Sequence, residues 1–142
     1  MKKTDNKGFS LVELIIVIAI MAVLMAVLAP QFLKYVESSR VQKDESAAEE
    51  YRHATEIAMS NETIYKSVGL SDTTTKATVT IPDNGAIAGN TDLIKELKNV
   101  CGDTVDFTSS THAGQTYTIT ITYDKTEKTI KVTGEFAAPA AP

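Results

Sequence analysis

One carboxylate interrupts an otherwise apolar stretch. Glu13 stands between Val12 and Leu14 near the start of a segment in which 19 of the 21 residues from Phe9 to Ala29 are hydrophobic. Sixteen of them, Leu14 to Ala29, are consecutive. An ionised carboxylate at a membrane-helix centre costs about 2.5–3.5 kcal/mol, and less near the interface, where Glu13 would begin. Two chemistries fit this position: a glutamate that snorkels to the surface, or a carboxylate that needs a cationic partner inside the membrane. The other reactive residues are scattered. His53 falls in a helical segment and His112 in a Ser/Thr-rich loop, too isolated to form a catalytic dyad. Cys101 precedes Gly102 at a helix end with no base beside it, and reads as a small, partly buried apolar residue. Asp103 and Asp106 flank Val105 and could contribute loop carboxylates to a calcium site, but without a recognisable spacing. Glycine-rich phosphate loops, zinc patterns and aromatic-basic interleaving are all missing. The residues therefore predict neither an enzyme nor a bound cofactor.

The elements that must carry these residues are read from periodicity. Lys2, Lys3 and Lys7 against Asp5 give a basic stretch before the apolar run, which the positive-inside rule retains in the cytoplasm. From Phe9 to Ala29 a helix would span about 30 Å, the thickness of a bilayer's hydrocarbon core. A cleaved secretory signal fits poorly, because Pro30-Gln31-Phe32 follows where a small-residue cleavage site would be. The helical pattern continues instead, with Leu33, Val36, Ala47, Tyr51, Ala54 and Ala58 on one stripe. One helix from about Phe9 to about Ser60, roughly 75 Å long, is predicted, kinked or locally melted at Pro30.

The rest predicts a small α+β head. Asn61 to Thr75 is polar, with a break at Gly69; Ala77 to Ile81 alternates as a short strand before Pro82. Asp83-Asn84-Gly85 signals a turn, Thr91-Asp92 caps a helix to about Val100, and Val105 to Thr108 offers another strand. Thr116 to Tyr123 alternates strictly, putting Tyr117, Ile119, Ile121 and Tyr123 on one face. A turn at Asp124 to Glu127 returns it through Lys128 to Thr133 as a β-hairpin, ended by Gly134. Its apolar face needs cover, which the helix stripe supplies. Phe136 to Pro142 has no core-forming pattern. The expected organisation is a basic stretch at 1–8, a transmembrane helix at 9–30, an amphipathic continuation at 31–60, a globular head at 61–136 and a loose tail at 137–142.

Composition closes off other classes. The chain has 142 residues, 43% hydrophobic and 23% charged, with net charge −4. That is too acidic for a protein that binds nucleic acid by neutralising phosphates. A mean hydropathy of −0.06 is too polar for many membrane spans. One cysteine makes no internal disulfide.

Gly8-Phe9-Ser10-Leu11-Val12-Glu13-Leu14, preceded by the lysine-rich leader and followed by the apolar run, resembles the N-terminus of a type IV prepilin. The resemblance covers roughly residues 1–40, with glycine, phenylalanine and glutamate at the family's spacing. Pro30 falls where many members have a helix-kinking proline. It implies that a membrane-embedded prepilin peptidase cuts after Gly8 on the cytoplasmic side and methylates the new amino group of Phe9. Gly8 has no side chain to obstruct such a cut. Glu13 of one subunit would then pair with the Phe9 amine of its neighbour as helices stack in a filament.

The implied function is a structural subunit of a type IV pilus, in a membrane-helix-on-antiparallel-sheet fold. Its implied partners are further copies of the chain, the peptidase and methyltransferase, the pilus assembly machinery and the cytoplasmic membrane. The implied location is a single-pass cytoplasmic membrane protein that becomes an extracellular filament. A pseudopilin of a type II secretion or DNA-uptake machine shares the same helix, and the single cysteine departs from the many major pilins with a disulfide-closed C-terminal loop. A monomeric membrane-anchored binding module would leave Gly8, Phe9 and Glu13 unexplained. Threonine abundance beyond residue 70 fits exposed strands, and Asn61-Glu62-Thr63 matches an N-glycosylation acceptor by pattern only.

Overall fold

The computed structural model describes residues 8–71 and 74–137. Most of the expected 1–8 leader and 137–142 tail lies outside the described residues. The elements are α1 (Leu11–Met59), α2 (Glu62–Val68), β1 (Lys76–Pro82), α3 (Thr91–Cys101), β2 (Thr116–Asp124) and β3 (Thr129–Ala137). The chain divides into two compact units between Glu37 and Ser38.

In the first unit α1 is apolar on every side. All its large apolar side chains, from Leu11 to Tyr35, are exposed, as is Phe9 before it. This is the one helix among the described residues that is long and apolar enough to cross a membrane. A helix suits that setting because it satisfies its own backbone hydrogen bonds where no water can. Pro30 lies inside α1, and the helix continues through it without local melting.

The second unit packs the Ser38–Met59 part of α1 on a three-stranded antiparallel sheet of order β1-β2-β3. The register sets Ile119 opposite Val79 on one side and Gly134 on the other. Alternation on β2 is as the sequence reads: Tyr117, Ile119 and Ile121 are buried, with threonines between them facing outward. They meet Ala48, Tyr51, Ala54 and Ala58 of α1, Val79 and Ile81 of β1, and Leu93 and Leu97 of α3 in one core. The buried stripe of α1 matches the expected one from Tyr51 onward and departs from it before that. It keeps the expected Tyr51, Ala54 and Ala58 and adds Asp44, Ala48, Thr55 and Met59, with Ala47 only half-buried and Leu33 exposed. Small alanines let the helix approach the sheet, and Thr55 satisfies its buried hydroxyl on the Tyr51 carbonyl at 2.8 Å.

Several local expectations are corrected. The polar stretch after Ser60 is not all loop: Asn61 caps α2 by accepting from Thr63 N, and Gly69 ends it at φ +72°. The cap of α3 is Asn90, not Thr91, because the Asn90 side chain accepts from the Asp92 and Leu93 amides. Val105 to Thr108 is not a strand and makes only a single bridge, Val105 to Asp83. Gly134 does not end the hairpin. β3 runs on to Ala137 and carries Phe136 onto Phe107, His112 and Tyr117. A Cβ at Gly134 would land on the Tyr117 hydroxyl and ring. The glycine thus marks a close side-chain approach across the strand pair rather than a break.

Candidate functional site

The N-terminal residues that carry the sequence motif are all accessible. Gly8, Phe9 and Ser10 precede the helix, and Phe9 is 87% exposed. Around Gly8 nothing lies within 4 Å of where a Cβ would be. The first helical hydrogen bond runs from Leu14 N to Ser10 O at 3.2 Å. Ser10 N in turn donates to Glu13 Oε2 at 2.9 Å. This is one half of the Ser-x-x-Glu capping box, in which the third residue of the helix reaches back to the amide of the cap. Glu13 therefore has a partner within its own chain, at a helix end where a negative charge is favoured. The sequence reading missed Ser10, although the Ser10-x-x-Glu13 spacing was there to be read.

Further along α1 the helix surface is uneven. Shallow apolar hollows form over Ala19, Ile20, Val23 and Leu24, and over Met21, Leu24, Met25 and Leu28. Hollows between side chains on a helix surface are places that the ridges of another helix can enter. Pro30 follows these hollows within the helix.

The residues weighed for other chemistry are dispersed. His53 is exposed on α1, 3.3 Å from Glu56. Cys101 is half-buried at the end of α3, where burial, with Glu50 behind it, pushes the thiol pKa up and keeps it protonated. Such a thiol is a poor nucleophile. Asp103 pairs with Lys98 at 3.2 Å, whereas Asp106 accepts from Asn84 at 3.2 Å. Among the described residues no three acidic, histidine or cysteine side chains gather as a metal site.

His112 lies in a group that sequence reasoning did not assemble. Asp44 of α1 is buried beside Ser109 and His112, with its Oδ2 3.9 Å from His112 Nδ1. Its carboxylate accepts from Thr108 N at 3.0 Å and from Ser109 N at 2.8 Å. Burial pushes the Asp44 pKa up, but the hydrogen bonds from Ser109 and Thr108 outweigh it and hold the carboxyl below its usual value. His112 stacks on Phe136 with ring centres 3.9 Å apart. Aspartate, histidine and serine are the ingredients of a hydrolytic triad. Here, however, Ser109 is wholly buried and the carboxylate is spent on backbone amides, so the group fastens a loop. The signal that could have found it was helical phase: Asp44 sits four residues before Ala48 on the buried stripe.

A second carboxylate fastens the same loop. Asp83, just beyond β1, accepts from Phe107 N and Gly114 N, each at 2.9 Å. Nearby, the Tyr117 hydroxyl donates to Glu49 at 3.2 Å, and Glu49 is held by Arg52 at 2.6 Å. Burial and the adjoining Glu49 push the Tyr117 hydroxyl up to about 12.

Comparison with known proteins addresses the N-terminal segment. Residues 3–29 match the family described as the prokaryotic N-terminal methylation motif. The chain is 39% identical over 57 residues to a type IV major fimbrial protein, FimA, of Dichelobacter nodosus, covering 40% of this chain and 36% of that protein. It is 31% identical over 67 residues to the prepilin peptidase-dependent protein A of Clostridium perfringens, covering 47% of this chain and 48% of that protein. The matches thus span between a third and a half of these relatives' own length. No solved structure matches the chain. The long N-terminal helix and the three-stranded sheet are consistent with a type IV pilin-like α+β fold. The chain carries the prepilin-type N-terminal methylation motif and is similar to type IV fimbrial and prepilin peptidase-dependent proteins.

Proposed function

We propose that this chain is a structural, non-enzymatic subunit of a type IV pilus. In this reading it is cut after Gly8, methylated on the Phe9 amine and polymerised through the N-terminal half of α1. The observation that carries the reading is the matched motif at 3–29, leading into a helix whose large apolar side chains from Leu11 to Tyr35 are all exposed. Unshielded, that surface demands either lipid or other helices. The open backbone at Gly8 supports access by a peptidase.

Processing changes the chemistry around Glu13. Loss of residues 1–8, with three lysines and one aspartate, takes the net charge from −4 to −6. It also creates a cation at Phe9. Before the cut, Glu13 is satisfied by the Ser10 amide; in the fibre, the Phe9 amine of a neighbour competes for the same carboxylate. At 4 Å such a pair is worth about 4 kcal/mol at an effective dielectric of 20. Most of that offsets desolvation, so the pair acts mainly on register. Helix hollows at Ala19–Leu24 and Met21–Leu28 accept neighbouring side chains, and Pro30, with one hydrogen bond fewer beneath it, gives the packed helix a place to bend.

The test is mass spectrometry of protein sheared from the cell surface. The expected N-terminus is N-methylphenylalanine at Phe9, and Glu13→Val, still inserted in the membrane, leaves the surface fraction empty. An intact Met1 in assembled fibres overturns the processing step. Mature protein found only in the envelope identifies a pseudopilin of a secretion or DNA-uptake machine instead.

A further inference from the structure

Asn84 stands at the one asparagine–glycine step of the chain; Asn6, Asn61, Asn90 and Asn99 are followed by Lys, Glu, Thr and Val. Asparagine is a thermolabile side chain, because the backbone nitrogen of the next residue can attack its amide carbon. A side chain on that next residue hinders the attack, and glycine has none. The turn after β1 demands both residues. Asn84 has φ +52°, a left-handed conformation that asparagine adopts more readily than most residues. A Cβ at Gly85 would land on the Pro82 ring. The labile pair is therefore a requirement of the fold at this point.

The Asn84 amide also has a structural task. The side chain is exposed, and its Nδ2 donates two long bonds, 3.3 Å to Asp83 Oδ1 and 3.2 Å to Asp106 Oδ1. It bridges two carboxylates that would otherwise repel each other. Asp83 is the residue that fastens the following loop through Phe107 N and Gly114 N. The attacking atom, Gly85 N, is bonded to the Pro82 carbonyl at a long 3.3 Å.

We propose that Asn84–Gly85 is a self-modification site, where loss of the amide turns this bridge into three adjoining carboxylates and loosens the loop from Phe107 to Gly114. Gly85 N gives its proton to water or hydroxide and bonds to Asn84 Cγ. The Cγ–Nδ2 bond breaks, and Nδ2 takes a proton from water and leaves as ammonia. Water then opens the five-membered imide. Cleaving the bond between Cγ and the Gly85 nitrogen gives aspartate at 84. Cleaving the bond between that nitrogen and the residue 84 backbone carbonyl carbon gives isoaspartate. In both cases one water is taken up and one ammonia released, with nothing oxidised or reduced. A donor becomes an acceptor-only carboxylate, so Asp83 and Asp106 lose a shared donor and gain a like charge. The reaction needs no enzyme and no second copy, and it does not depend on the processing or assembly of the N-terminal segment. Because it runs one way, the converted fraction records the age of each molecule.

Incubation of the full chain in detergent micelles, in mildly alkaline water enriched in heavy oxygen, tests the chemistry. Peptide mass spectrometry should find Asn84 converted about tenfold faster than Asn61, Asn90 or Asn99, with one heavy oxygen taken up and both aspartyl and isoaspartyl products formed. Amide hydrogen exchange tests the consequence. Asn84→Asp carries the product charge in a residue that tolerates the same turn. Its Phe107 and Gly114 amides should exchange about tenfold faster than in the parent, with Ile119 and Ile121 of β2 unchanged. The increase should shrink in high salt, which screens like charges. Asn84→Gly keeps the turn and removes the amide without adding charge, so its exchange should lie closer to the parent. Conversion at Asn84 no faster than at the other three asparagines overturns the proposal. So does exchange in Asn84→Asp that equals the parent or Asn84→Gly, or that rises equally in β2.

Discussion

Asp44 shows how one side chain can hold a loop that has no regular structure of its own. A buried carboxylate is tolerated only if hydrogen bonds replace its lost hydration. Two backbone amides and the Thr108 hydroxyl do so here. The exchange is mutual, since Thr108 N and Ser109 N would otherwise lack a partner. Asp44→Ala leaves those amides unpaired and should cost about 3 kcal/mol of unfolding free energy. Because the folded pKa lies below the ordinary aspartate value of 3.8, the charge's contribution is complete above pH 3.8. It is lost as pH falls below that, through the folded value. Thermal unfolding followed by circular dichroism between pH 6 and pH 2.5 should show this acid loss in the parent chain and a flatter profile in Asp44→Asn. An equally steep acid limb in Asp44→Asn would mean that other carboxylates carry it.

Helix and strand identity was legible where a pattern was long enough to repeat. The continuous α1 and the β2–β3 hairpin follow from apolar periodicity, and observed α1 ends one residue short of the expected Ser60. Helix α2 escaped because seven residues make fewer than two turns, too few for a period, although its caps Asn61 and Gly69 were visible. Val105 and Phe107 alternate with exposed Asp106 and are buried, as a strand reading requires. Yet the amides of Phe107, Thr108 and Ser109 bond to the Asp83 and Asp44 side chains rather than to another strand. No local pattern announces partners from 24 and 64 residues away. At the N-terminus the reverse held. Glu13 is conspicuous by polarity, and its partner Ser10 stands at the capping-box spacing three residues before it. Caps also set the strength of α3. Asn90 accepts from two α3 amides and donates to the Ser67 carbonyl of α2 at 2.8 Å. Losing a cap costs about 1 kcal/mol, and the bond to Ser67 adds a comparable amount. Asn90→Ala should therefore lower stability by about 2 kcal/mol in denaturant titration, with Asn90→Asp, which keeps the acceptor and loses the donor, in between.

The two units obey different solvents. Every buried core residue comes from Asp44 onward, and none from the stretch Phe9–Glu37. From Ser38 to the end the sequence holds ten basic and fifteen acidic residues, a net charge that favours solubility. Before Ser38 the described surface is mostly apolar. A chain beginning at Ser38 therefore sheds the membrane-type segment without opening the core. Its shortened α1 begins with Ser38 and Ser39, residues well suited to cap the new helix end. Such a chain should fold in water without detergent. Because its core is intact, its thermal midpoint should lie within about 5 °C of the second unit's transition in the full chain, a difference of roughly 1 kcal/mol. Circular dichroism should show both helix and sheet, and the melt should be one cooperative step. Aggregation, or a midpoint far below that of the full chain, would show that the apolar half of α1 supports the core as well as the membrane anchor.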